Sequence, residues 1–182
     1  MSVIIKVTVI LVGVLSGQIA FAAQGNVSSQ PFCGSTNPSQ AHDLNGITKV
    51  LYKIVSGKAG EEKNWALMRT LFAPNSTITP IFHNRAGHTV RAMSVEDFIS
   101  LNRQIFANIN FFETEVKANV FRYGNTATIL SQYESRDDIG GAPYSTGVNS
   151  FQLVNDGIRW CVISVTWDSD KGPLPSSHFV IK

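Results

Sequence analysis

The sequence contains little charge and no clustering of either sign. Lys and Arg number 15 and Asp and Glu 13 in 182 residues, so the formal net charge at pH 7 is +2. The basic residues are scattered and do not alternate with aromatic residues, which argues against nucleic acid and anionic membranes as partners. A hydrophobic share of 43% beside a charged share of 15% is typical of a compact globule.

Long apolar runs are absent after the N-terminus. The uncharged stretch VTVILVGVLSGQIAFA follows Lys6 and is shorter than the ~20 residues of a membrane-spanning helix. It ends in a small-x-small cleavage pattern. The sequence therefore predicts a signal peptide over residues 1–22 and export to the periplasm or the extracellular space, without membrane contact after cleavage. The alternative is an uncleaved anchor.

Cysteine is scarce, and the signatures of metal and cofactor sites are missing. Export would permit a disulfide between the two cysteines, Cys33 and Cys161. The alternative is two independent residues, with Cys161 as a small core hydrophobe. Cysteines, histidines and carboxylates are dispersed, and the sequence has no P-loop, G-x-S-x-G or dinucleotide fingerprint. We therefore predict no metal and no cofactor.

The length predicts one domain, flanked by polar segments. Residues 23–40 are rich in Ser, Gln, Asn and Gly and predict a flexible arm. The domain is expected over residues 41–170. Residues 171–182 contain two prolines and predict an irregular tail.

Hydrophobic periodicity predicts helices first and strands last. A helix follows residue 41 and stops at Gly57, and a second, short helix begins after Asn64. Two short strands surround a turn at residues 84–87, and a third helix over residues 94–107 opens with a capping box. A meander of four long strands is predicted over residues 111–123, 126–136, 144–154 and 158–167.

This order of elements resembles the nuclear transport factor 2-like (NTF2-like) superfamily, in its SnoaL-like branch of exported bacterial proteins. The stretches that carry the similarity are LYKIVSGKAGEEKNWALMRTLFAPNSTITP, MSVEDFI, YESRDD, GVNSFQLVNDGIRW and VTWDSD. The resemblance implies an α+β fold, a cone-shaped and strongly curved antiparallel sheet that wraps a long helix around an open pocket. The superfamily includes isomerases, dehydratases, cyclases and non-catalytic binders, so the resemblance leaves open whether the chain is an enzyme.

Strand alternation predicts which side chains of the meander enter the pocket. A two-residue turn at 124–125 places Val116 opposite Tyr133 on the core face and directs Glu113 and Glu115 to the outer face. On this map the first three strands of the meander carry no carboxylate inward. The outer face is charged, and we expect it either to be solvated or to contact a second copy of the chain.

The next hairpin places polar residues at one end of the core face and apolar residues at the other. The predicted ligand-binding residues form a polar group, Ser131, Tyr133 and Asn149, and an apolar group, Trp65, Phe98 and Phe151. Convergent polar groups against an apolar wall are typical of small-molecule pockets. The alternative is that the polar residues are buried and satisfy one another.

The last strand has two registers open to it. A two-residue turn places Trp160, Val162 and Ser164 inward, whereas a longer, bulged loop places Cys161, Ile163, Val165 and Trp167 inward. The second register gives the more apolar face and is favoured.

Three functions remain open for such a domain. The first is a binding module for a small, partly apolar molecule. The second is an isomerase, lyase or cyclase, which needs a carboxylate or His inside the cone, and its candidates are Asp97, His83 and Asp168. The simplest roles of these three are a helix cap, an exposed turn histidine and a loop contact. The third is a non-catalytic homodimer formed through the outer sheet face.

Overall fold

The computed structural model describes residues 31–171 of the chain. The predicted signal peptide, the first part of the predicted arm and the predicted tail beyond residue 171 lie outside the described residues. Within the described range, no helix is long and apolar enough to cross a membrane.

The predicted order of helices and strands is confirmed. A 3-10 turn, Ser39–His42, precedes the helices α1 (Leu44–Val55), α2 (Trp65–Leu71) and α3 (Val95–Phe106). The strands are β1 (Phe72–Asn84), β2 (Gly87–Val90), β3 (Met93–Ser94), β4 (Phe112–Tyr123), β5 (Thr126–Arg136), β6 (Ser145–Asn155) and β7 (Trp160–Lys171).

Side-chain caps explain where each helix begins. Asp43 accepts hydrogen bonds from the backbone N–H groups of Asn45 and Gly46, so α1 starts after Asp43 rather than at residue 41. Asn64 caps α2 in the same way. Ser94 and Asp97 form the predicted capping box at the start of α3.

The strands form one curved, open sheet in the order β2-β1-β7-β6-β5-β4, with β3 attached to β1. The meander from β4 to β7 is antiparallel, as expected. β1 runs parallel to β7, so the sheet is mixed rather than wholly antiparallel. The helices cover the inner face and build the core with it, with Ile47, Leu71, Ile99 and Ile129 fully or almost fully buried.

A bulge in β4 overturns the predicted register at its N-terminal half. Ala118 pairs with Ser131 as expected, but Glu115 and not Val116 lies opposite Tyr133. Val116 is the extra residue and is 56% exposed. Because a bulge reverses the alternation on one side of it, Glu113 and Glu115 are directed to the inner face instead of the outer one.

A second bulge in β7 makes each of the two predicted registers correct for half of the strand. Leu153 pairs with Val162 and Phe151 with Val165, so Ile163 is the extra residue. Before the bulge, Trp160 and Val162 are buried against the core; after it, Val165 is. Cys161 belongs to neither inward group and packs on the opposite face with Cys33.

The described part of the arm is fixed to the sheet at Cys33. A disulfide joins Cys33 to Cys161, with Cα atoms 5.7 Å apart. Asp156 accepts a hydrogen bond from the Cys33 backbone N–H at 2.9 Å, and the Arg159 guanidinium donates to the Cys33 carbonyl oxygen. We call these three contacts the Cys33 clamp.

Candidate functional site

A cavity of about 320 Å³ lies between the inner face of the sheet and helices α1 and α3. Most of its wall is aromatic or aliphatic, from Leu51, Phe72, Ile78, Phe98, Phe106, Phe111, Phe151, Val165 and Trp167. Ile105, Ile109 and Tyr144 also line it and remain 40–46% exposed, so they mark its mouth.

Stacked rings stiffen the apolar wall. Phe106 lies between Trp65 and Phe111, with ring centroids 6.3 Å and 5.1 Å away. On the opposite side Phe98 meets the edge of Trp167 at 6.2 Å. Aromatic pairs in such geometries add stability beyond their buried area, which favours a preformed cavity.

A chain of hydrogen bonds crosses the polar end of the cavity. Asn149 Nδ2 donates to Tyr52 Oη at 2.8 Å, and Tyr52 Oη lies 2.7 Å from Ser131 Oγ. Ser131 Oγ donates to Glu115 Oε2 at 2.7 Å. Because the one hydroxyl hydrogen of Ser131 goes to Glu115, the hydroxyl of Tyr52 must donate to Ser131. Tyr52 and Ser131 therefore have no hydrogen left for a ligand, whereas the amide oxygen of Asn149 is available.

Glu113 is the carboxyl group that the cavity holds. It lies opposite Ser135 on β5, whose hydroxyl donates to Glu113 Oε1 at 3.4 Å. Burial raises the pKa of Glu113 from 4.5 to about 8, and the bond from Ser135 offsets this only in part. The side chain keeps some accessible surface, which faces two cavities that open to solvent. Glu113 is thus mostly a neutral acid at pH 7.

Tyr133 spans the sheet beside Glu113. Its ring passes over Gly147 of β6, and its hydroxyl lies near the Ser169 side chain of β7. A Cβ on Gly147 would lie 2.5 Å from the Tyr133 hydroxyl oxygen, so only glycine leaves room for the ring. Burial is the main cause that raises the pKa of Tyr133, and the negative charge of the neighbouring Glu113 carboxylate is the second.

The structure brings together four of the six predicted ligand-binding residues. Tyr133, Asn149, Phe98 and Phe151 line the cavity. Ser131 is fully buried behind Tyr52, and Trp65 supports the wall from behind Phe106. Ser131 and Trp65 therefore act on the cavity through other side chains.

None of the three predicted acid–base candidates lines the cavity. Asp97 is an exposed helix cap, and its hydrogen bonds with Ser94 lower its pKa. His83 Nε2 lies 2.5 Å from Asp168 Oδ1, and both side chains are more than half exposed. In residues 31–171, no group of three or more His, Cys, Asp or Glu side chains could hold a metal ion.

The sequence reasoning missed Glu113 and Tyr52. Glu113 was assigned to the outer face because the bulge was not recognised. Tyr52 was overlooked on α1, although it lies four residues after Thr48 and eight after Leu44, which are both buried. This four-residue spacing could have identified Tyr52 as inward-facing.

A second cavity, on the far side of Glu113, opens between α1 and β4. We call it the α1–β4 groove; it is lined by Lys49, Lys53, Ser56, Glu113, Glu115 and Arg136, among others. Tyr52 and Glu113 line both cavities and so form the wall between them. Arg136 is paired with Glu134 and with the Gly141 carbonyl oxygen.

Comparisons with known proteins find solved structures of similar shape. No protein-family model matches the chain, and no curated protein matches it. The yeast Ubp3-associated protein Bre5 has a similar structure, with a TM-score of 0.50 and 11% identity over 71% of this chain and 98% of that chain. An NTF2-like protein of unknown function from Silicibacter pomeroyi gives a TM-score of 0.48 and 13% identity over 70% and 92% of the two chains. A cystatin-like protein of unknown function from Nostoc punctiforme gives a TM-score of 0.48 and 9% identity, over 71% of this chain and 94% of that chain.

The solved structures similar to this chain include proteins described as NTF2-like and cystatin-like. At identities this low the similarity concerns the fold alone, and a fold does not determine an activity.

Proposed function

We propose that this chain is a small-molecule-binding protein whose ligand occupies the cavity of the cone. The observation that carries the proposal is a cavity of about 320 Å³ with a stacked aromatic wall and a polar end. Ligand pockets typically measure about 300–1,000 Å³ and combine an apolar lining with a few oriented polar groups. The cavity lies at the lower end of that range, which favours a compact ligand.

The polar end defines what a ligand can contact there. Glu113 offers a carboxylic acid near neutral pH, and Asn149 offers its amide oxygen. Tyr52 is held in place by two hydrogen bonds and shapes the floor of the cavity without donating to a ligand. Recognition at this end therefore depends on Glu113 and Asn149.

The test is a thermal-shift screen with a cavity-blocking variant. Asn102 of α3 lines the cavity, whereas Gln104, two residues on, is exposed and does not. We expect Asn102→Phe to abolish the stabilisation that a screened compound gives, and Gln104→Phe to keep it. Binding at a hundred times the dissociation constant stabilises a protein by about 2.7 kcal/mol, which such a screen detects. A compound that stabilises both variants equally would place its site elsewhere.

Glu113 also favours a second candidate function, an isomerase, lyase or cyclase. A carboxyl group whose pKa lies near 8 can exchange protons at neutral pH, as general acid–base catalysis requires. Turnover of a cavity ligand that Glu113→Asp retains and Glu113→Gln loses would support catalysis. A bound ligand recovered unchanged, with no loss on substitution, would leave binding as the function.

Export is part of the proposal. The pairing of Cys33 with Cys161 supports an oxidising compartment, where disulfides persist. Mass spectrometry of the protein from a periplasmic or secreted fraction would test it. We expect a mature chain that begins at Ala23 and contains no free thiol; a cytoplasmic, uncleaved chain would contradict the proposal.

A homodimer through the outer sheet face is proposed as well. Phe121 lies opposite Thr128 on that face and is 51% exposed, so it offers apolar area for an interface. Light scattering at micromolar concentration and above should report twice the monomer mass, and Phe121→Asp should reduce it. A monomer under all these conditions would exclude the dimer.

A further inference from the structure

The cavity combines one carboxyl group with a lining whose described residues carry no positive charge. Among the described residues that line it, Glu113 is the one carboxyl group and none is Lys, Arg or His. An anionic ligand would therefore meet no positive partner. A charged ligand that complements this wall has to be a cation.

Aromatic residues line the cavity together with Glu113. Tyr52, Tyr133 and Tyr144 each lie close enough for a charge on Glu113 to raise their pKa values, although burial is the larger cause in all three. Phe111 and Trp167 complete the nearby wall. The faces of aromatic rings attract cations, and such contacts strengthen when water is excluded.

We propose that the ligand of this cavity is an organic cation, an amine or quaternary ammonium on an apolar body, with its charged head beside Glu113 among the three tyrosines. The body then lies against Phe98, Phe151 and Trp167. This inference rests on the proposed ligand-binding function and specifies the class of its ligand.

The state of Glu113 in the empty cavity fits this role. Burial favours the neutral acid, whereas a cation within a few ångströms favours the carboxylate. A permanent cation that enters at pH 7 will therefore release the proton of Glu113 to solvent. Binding and proton release are then coupled, which a neutral ligand does not require.

The other groups that face Glu113 do not supply the missing positive charge. From α1 these are Tyr52 and Ser56, from β5 Tyr133 and Ser135, and from the loop before β6 Tyr144. Lys49, Lys53, Arg136 and Glu115 border the α1–β4 groove and do not line the cavity. Both lysines are exposed, and the guanidinium of Arg136 is occupied by Glu134, so the carboxyl group still lacks a cation on its cavity side.

The experiment uses two probes of the same shape that differ in charge. They are (4-hydroxymethylphenyl)trimethylammonium and 4-tert-butylbenzyl alcohol, titrated calorimetrically into the full mature chain between pH 6 and pH 9. We expect the affinity for the ammonium to rise about tenfold per pH unit up to pH 8 and then level off, because Glu113 must ionise. The affinity for the alcohol should not rise with pH.

Two further measurements make the result decisive. Glu113→Gln should remove the pH dependence of ammonium binding and weaken that binding at pH 9 at least about tenfold. The same variant should bind the alcohol as before. The exposed control, Glu62→Gln, should change the affinity for neither probe. If Glu113→Gln does not fold, titrations of the natural chain at pH 6.5 in buffers of different ionisation enthalpy should show about one proton released per ammonium bound.

The outcomes separate this inference from the proposed function. Binding of the alcohol but not of the ammonium, or ammonium binding that Glu113→Gln leaves unchanged, overturns the cationic ligand and keeps the small-molecule site. If neither probe nor any screened compound binds in the cavity, the proposed function fails and the cationic ligand fails with it.

Discussion

Ser135 donates to Glu113 across the β4–β5 pair, with Ser135 Oγ 3.4 Å from Glu113 Oε1. Among the described residues this is the one hydrogen bond that the Glu113 side chain receives. A buried carboxylate needs two or three donors to remain ionised, so a single long bond leaves the proton on. The site is therefore sensitive to pH near neutrality, and its neighbours can be tested one by one.

The stability of the fold should fall as pH rises toward 9. The pKa of Glu113 in the folded state, about 8, lies above its ordinary value of 4.5, so the folded chain holds a proton that the unfolded chain loses. The resulting stabilisation is complete below pH 4.5 and disappears as pH rises through 8. Glu113→Gln cannot ionise, so its midpoint of urea unfolding should change less than that of the natural chain between pH 5 and 9. Parallel pH profiles would contradict the raised pKa.

The bulge in β4 predicts an unusual tolerance at Val116. Because Val116 is 56% exposed, Val116→Ala should change the free energy of unfolding by no more than about 0.5 kcal/mol. Ile129, on the facing strand and fully buried, provides the contrast: Ile129→Ala should lose about 2–5 kcal/mol. Chemical denaturation measures both. A loss of comparable size at Val116 would mean that its side chain enters the core and that Glu113 does not.

The two tyrosines of the polar end should respond differently to loss of the hydroxyl. Tyr52→Phe leaves Asn149 and Ser131 without a shared partner inside the core and should cost about 1–3 kcal/mol in stability. Tyr133→Phe removes no hydrogen bond of the Asn149–Tyr52–Ser131 chain and keeps the ring over Gly147, so it should cost less. Equal losses in denaturation would show that the Tyr133 hydroxyl belongs to the buried network.

Gly147 should accept no side chain. In Gly147→Ala the new Cβ would overlap the backbone oxygen of Asp168 and the hydroxyl of Tyr133, so the strands or the ring must move, at about 1–3 kcal/mol. Gly140 has open space around it, and Gly140→Ala should be nearly neutral. Thermal unfolding of both variants makes the comparison, and a neutral Gly147→Ala would show that the ring does not cross β6 there.

Removal of the disulfide should weaken the fold without abolishing it. The bridge joins residues 128 apart, and chain-entropy models assign such a loop about 4–5 kcal/mol, often less in practice. Asp156 and Arg159 continue to hold the Cys33 backbone in a Cys33→Ala/Cys161→Ala variant. Denaturation should show a lower midpoint with a preserved cooperative transition, and an unfolded variant would assign the attachment of the arm to the bridge alone.

The sequence predicted the order of the helices and strands, and it predicted the β5–β6 register because neither register shift nor bulge interrupts this pair and the loop between the strands closes symmetrically. In β7 the apolar positions Val162 and Val165 are an odd number of residues apart, so the change of phase was visible and a bulge could be proposed. In β4 the apolar Val116 continues the pattern of Ala118 and Val120, and this continuity concealed the bulge. One extra residue thus decided whether the site contained a carboxyl group, and only the paired strands reveal it.

The Cys33 clamp has a mechanical consequence. Cys33 precedes the first helix, and Cys161 lies in the last strand, whose centre is flanked by β1 and β6. A pulling force applied at the two ends of the described chain would therefore pass through one covalent bond and bypass the helices and the six strands that lie between the two cysteines. Under tension only the ten residues from Val162 to Lys171 would peel from the sheet, and the cavity would lose Val165 and Trp167 from its wall while the elements between the two cysteines stayed in place.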